Sequence, residues 1–201
     1  TELEDLYLPY RPKRKTRASI ARARGLQPLA DALLAQKADF DPEKEAAAYC
    51  NEDVPDAEAA LAGAQDIIAE FISDEARCRA ELRRYYKAFG QIKSVQAKKE
   101  DSVYAQYYEY GKPLSKIPGH RVLALDRGER EGFLKVSIAV EADRAAAIVA
   151  WMFARKKTGG ASALLVEAAA KDAYTRPIHP SLENELRADL TANAAEGAIS
   201  V

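Results

Sequence analysis

Eight apolar residues between positions 57 and 72 recur at the three-and-four spacing of one helix face: Ala57, Ala60, Leu61, Ala64, Ile67, Ile68, Phe71 and Ile72. A stripe four turns long is stable in water only when other elements cover it, so the chain must be built around at least one buried helix. The composition points the same way. Of 201 residues 48% are hydrophobic but only 8% aromatic, and there are 10 glycines. Alanine supplies much of the apolar content, and it loses no side-chain rotamer freedom on entering a helix. This length supports one large core or two small ones.

Punctuation along the chain divides it further. Leu3, Leu6 and Tyr10 share a helix face that Pro9 and Pro12 interrupt. Thr16 is placed to cap a helix ending at Gly25, and Pro28 suits the first turn of the next, over residues 28–36. Asp41-Pro42 starts a short helix, and residues 51–55 form a turn. The striped helix runs from Asp56 to Ile72, and Ser73 or Asp74 caps a second helix over residues 75–89. The two stripes are expected to pack on each other as a helix-turn-helix pair. Residues 91–98 and 133–140 alternate as strands and are expected to pair antiparallel. Residues 102–110 read as a short helix and residues 120–127 as another, with a hairpin strand as the alternative for the latter. Helices follow over residues 143–156 and 161–174. Pro177 and Pro180 make a turn, and Ser181 caps a last helix. The expected fold is mainly α with a small two- or three-stranded antiparallel β element. It comprises a helical segment with a basic loop (1–55), a helix-turn-helix module with the β element (56–140) and a helical scaffold (141–201).

Catalytic and metal signatures are sparse. His120 and His179 have no cysteine or paired carboxylate at metal-ligand spacing, and Cys50 and Cys78 form no Cys-x-x-Cys pair. No phosphate-binding glycine motif follows a strand, and Thr158-Gly159-Gly160 reads as a solvated loop. The pairs Glu129/Glu131 and Glu183/Glu185 are two apart, so on a helix their carboxylates diverge. We therefore expect no enzyme, no cofactor and no metal. The absence of a long apolar run makes a cytoplasmic location the default.

Net charge is -1, but the charges are segregated. Residues 11–24 hold seven basic side chains and no acidic one, residues 39–58 eight acidic and one lysine, and residues 77–99 eight basic and one glutamate. The second helix places Cys78, Leu82, Tyr85, Tyr86 and Phe89 on one face and Arg77, Arg79, Arg83, Arg84 and Lys87 on the other. Lys93 continues this ridge. A guanidinium fork on a rigid helix suits phosphate, whereas the asparagine and glutamine that read bases are missing from the first turns. Lys13, Arg14, Lys15 and Arg17 are a second candidate contact, with pairing to the acidic stretch as the alternative. Tyr104, Tyr107, Tyr108 and Tyr110 suggest either a base-stacking platform or, since Tyr104, Tyr107 and Tyr108 share one helical face, a core or domain-interface cluster.

Three stretches carry a family resemblance. They are TELEDLYLPYRPKRKTR (1–17), HRVLALDRGEREG (120–132) and PSLENELR (180–187), in order along the chain. They resemble bacterial Tex proteins, transcription accessory factors related to a eukaryotic elongation and histone-chaperone factor. The pattern departs at Gly119, Asp126 and Pro177, where Tex proteins more often have serine, asparagine and an aliphatic residue. The resemblance implies an internal segment preceding an RNase H-like domain of a modular protein, as the start at Thr1 and the apolar Ala198-Ile199-Ser200-Val201 end also suggest. It implies a transcription role, with nucleic-acid affinity leaning on an OB-fold domain elsewhere in the parent. The reading is a monomeric, sequence-nonspecific scaffold facing nucleic acid, DNA or RNA. The alternative is a protein-interaction module for RNA polymerase, another transcription factor or the parent's other domains.

Overall fold

The computed structural model describes residues 1–10 and 15–199. Its elements are helices α1 (Glu2–Tyr7), α2 (Arg17–Ala23), α3 (Gln27–Ala35), α4 (Pro42–Ala47), α5 (Ala57–Asp74) and α6 (Ala76–Phe89), strands β1 (Gln91–Gln96) and β2 (Glu109–Pro113), helix α7 (Gly119–Arg130), strand β3 (Leu134–Ala139), and helices α8 (Ala142–Phe153), α9 (Gly160–Ala173) and α10 (His179–Ile199). The chain is a helical scaffold with one small sheet. It forms two compact units, Thr1–Ala80 with Asp143–Ile178, and Glu81–Ala142 with His179–Val201.

In the first unit α5 is the central element. Asp56 caps it by accepting a hydrogen bond from the Ala59 amide. Of the sequence stripe Ala60, Ala64, Ile67, Ile68 and Ile72 are buried, joined by Ala69 and Ser73, whereas Phe71, expected inside, is 45% exposed. α2, α3, α4 and α9 pack on this face of α5. Ser73 and Asp74 extend α5, and the extended Glu75 alone separates it from α6, so neither Ser73 nor Asp74 is the expected cap. Thr16 does cap α2, in a reciprocal pair with Ser19, and Gly25 leaves it with φ +82. Gln36, in the left-handed conformation, ends α3. Its amide side chain bonds the Phe153 carbonyl and the Arg155 amide, fixing the exit of α8. The Thr158-Gly159-Gly160 loop leads into α9.

The second unit holds the sheet, ordered β2-β1-β3 and antiparallel throughout. The expected pairing of 91–98 with 133–140 is present: Ile92 stands opposite Ile138 and Ser94 opposite Val136. These side chains are buried and Lys93 is exposed, as the alternation required. Residues 102–110 are corrected: only Ala105–Tyr107 is a helical turn, and the chain then becomes β2. Residues 120–127 are helical, within α7, which packs on β3 and α10. The turn expected at the prolines is also corrected. Tyr174–Ile178 is one π-helical turn containing Pro177, and α10 follows directly with Pro180 and Ser181 in its first turn.

Candidate nucleic-acid interface

The ridge drawn from the sequence of α6 splits in two. Arg77, Arg84 and Lys87 are exposed, Arg84 forming only a surface pair with Glu81 at 3.4 Å. Arg79 and Arg83 are buried, at 6% and 8% exposure. Arg79 Nε donates to Asp5 Oδ1 at 2.8 Å. Arg83 spans the Glu185 carboxylate, with Nε to Oε2 at 3.2 Å and Nη2 to Oε1 at 3.1 Å. Neither fork faces solvent phosphate. The inward stripe of α6 is Cys78, Arg79, Leu82, Arg83 and Tyr86, while Phe89, expected inside, is 68% exposed. The stripe is rotated because two of its members are cations whose carboxylate partners lie far away in sequence. Burial pushes the Cys78 thiol up to about 12.

Among the other expected contacts, Lys93 is exposed on the outward face of β1, and Lys15 and Arg17 are exposed at the start of α2. Lys13 and Arg14 lie outside the described residues. Arg22 pairs with Glu70 at 2.8 Å. All eight acidic residues of the 39–58 stretch are exposed, and no ion pair joins them to the basic block among the described residues.

Tyr104 and Tyr107 are buried; Tyr104 donates to Glu131, and Tyr107 meets Tyr110 edge-on at 5.1 Å. The acidic pairs dismissed on spacing alone have specific partners. Glu183 accepts the Ile138 amide at 2.8 Å, and Glu129 accepts the Val136 amide at 3.3 Å, together tying β3 to α10 and α7. Arg187 Nη2 bridges Asp126 at 3.0 Å and Glu129 at 2.7 Å, and Asp126 also accepts from Thr191. Asp126 thus serves as an anchor between α7 and α10. Burial works against the Arg187 charge, but bonds to Glu129 and Asp126 outweigh it and raise its pKa. His179 Nδ1 lies 2.5 Å from the hydroxyl of fully buried Tyr86. The sequence signal for these ties was present only as unexplained polar residues on otherwise apolar helix faces. No group of three or more His, Cys, Asp or Glu is arranged for a metal among the described residues, and no described helix is long and apolar enough to cross a membrane.

Residues 37–201 match the family described as Tex central region-like. The whole chain aligns with YdcI of Bacillus subtilis at 41% identity, covering 28% of that protein. Protein tex of Bordetella pertussis is 45% identical over 70% of this chain and 18% of its own length. Transcriptional accessory protein Tex of Neisseria gonorrhoeae is 42% identical over 71% of this chain and 19% of its own. The chain therefore spans between about a fifth and just over a quarter of the length of these relatives.

Proposed function

The chain belongs to the Tex family, as a Tex central region-like segment, and from that membership we propose that it is a non-catalytic, nucleic-acid-facing scaffold module of a transcription accessory protein. The observation that carries this reading is the set of exposed cations Arg84, Lys87 and Lys93 on the second unit, held on a helix and a strand that their buried neighbours fix in place. Phosphate contacts from such side chains position a strand without reading its bases. A few of them give dissociation constants of about 0.1 mM to 1 μM. Arg79 and Arg83 take no part: their charges are spent on Asp5 and Glu185.

The second reading, a protein-docking module, has its own support in Phe89 and Val95, which are 68% and 51% exposed in the same stretch of chain as Lys87 and Lys93. Fluorescence anisotropy with single- and double-stranded DNA and RNA at two salt concentrations separates the two. Reversing Arg84, Lys87 and Lys93 to glutamate should abolish salt-dependent duplex binding with helix content unchanged. Reversing Lys15 and Arg17 should weaken it less. A triple variant that binds duplex as the parent does puts the protein-docking reading first.

A further inference from the structure

The chain has one tryptophan, and it is not in the core: Trp151, on α8, is 82% exposed. An indole in water forgoes the largest apolar burial a side chain offers, and its face is free to stack. It lines an open cavity of about 570 Å³ between α8, α9 and the loop joining them. Ala147 and Ala150 on α8, and Ala154 just past its end, line the cavity with small side chains. The loop adds Arg155, Lys156 and Lys157, and α9 adds Glu167 and Lys171. Glu167 is paired with Lys156 at 2.8 Å and Lys171 at 3.4 Å. Arg155 and Lys157 have no acidic partner among the described residues. The cavity thus combines one aromatic face with a surplus of positive charge.

We propose that this groove binds single-stranded nucleic acid, an unpaired base stacking on Trp151 and the adjoining phosphates lying against Arg155, Lys156 and Lys157. Aromatic rings beside a cationic track are the general means of holding single strands, because every base has a face to stack. A duplex offers no such face, its bases being covered on both sides. The charge surplus disfavours an apolar protein segment as occupant. The inference shares the nucleic-acid reading above but uses none of the α6 or β1 cations, so the two can fail separately.

Trp151 is itself the reporter. Titration of the 201-residue chain with a short oligouridine should quench its fluorescence to saturation. The matching RNA duplex at equal phosphate concentration should not. In anisotropy with labelled oligouridine, Trp151→Ala should weaken binding about 5- to 100-fold, the usual worth of one stacked base. Trp151→Phe should restore much of it, and Lys156→Glu with Lys157→Glu should remove the quenching. Quenching that survives reversal of Arg84, Lys87 and Lys93 would uphold the groove while removing the earlier site. Oligouridine binding without any change in Trp151 emission, or unchanged binding by Trp151→Ala, overturns the proposal. So does equal quenching by the duplex, by a mononucleotide, by an acidic peptide or by anionic phosphatidylserine vesicles.

Discussion

Asp5 and Arg79 are 4% and 7% exposed at their side chains, and each loses most of its hydration on folding. Such a pair need not add net stability, because desolvation of two ions offsets their attraction. Losing one partner is different, since it strands a charge. Asp5→Ala should destabilise by about 3–5 kcal/mol in urea unfolding, whereas replacing both residues with leucine and methionine should be close to neutral. Asp66 gives the opposite kind of test. Burial raises its pKa above the ordinary 3.8, Arg17 and Arg176 counter this in part, and Asp172 adds to it. Between 3.8 and the raised folded value the native state binds more protons than the unfolded one, so stability falls as pH rises through that window. Below it the group is protonated in both states and contributes no difference. Asp66→Asn should therefore raise the melting temperature at pH 7 relative to the parent, and the gain should vanish in acid below that window. At this scale the sequence was least legible. Counting cations on a helical wheel put Arg79 and Arg83 outside, because their partners, Asp5 and Glu185, are 74 and 102 positions away. No local pattern announces a carboxylate at that distance. Trp151 was placed correctly on its helix, but its exposure depended on which face α8 buries.

Local rules carried further for elements. α2, α5 and β1 follow from caps and apolar period, since both act within a few residues. β2 was missed because Gly111 and Pro113 are poor strand formers and the tyrosines before them mimic a helix stripe. Its place at the sheet edge removes the objection, as an edge strand tolerates a proline that a central one would not. The α9–α10 junction was misread for a related reason: Pro177 breaks the α-pattern, yet a single π-turn lets the chain stay helical. The fit of α7 against its neighbours is tight at Gly128. A Cβ there would lie 2.5 Å from Leu134 Cδ1, 2.9 Å from its Cγ and 3.1 Å from Tyr104 Cδ1. Gly128→Ala should cost about 1–3 kcal/mol through displacement of these side chains, outweighing the helix propensity gained. Gly197→Ala, on α10 with nothing within 4 Å of the added carbon, should instead be neutral or stabilising. Thermal melts of the two variants, side by side, check the contrast.

For the molecule as a whole, a net charge of -1 means that long-range attraction to a polyanion is weak, and binding must come from local contacts. The exposed acidic stretch over residues 39–58 would repel any strand brought close to it. These facts fix the form of the salt dependence. Each neutralised duplex phosphate lowers the logarithm of the binding constant by about 0.9 per tenfold rise in salt, and each single-strand phosphate by about 0.7. If Arg84, Lys87 and Lys93 each meet one phosphate of a duplex, reversing all three should flatten the slope by roughly 2–3. Reversing Lys156 and Lys157 should leave the duplex slope unchanged and flatten only the single-strand slope, by roughly 1–1.5. Slopes of this form would assign duplex contacts to the α6–β1 cations and single-strand contacts to the Trp151 groove without reference to absolute affinity. If instead both sets of reversals flatten both slopes equally, the cations act as one diffuse field and neither surface is a site of its own.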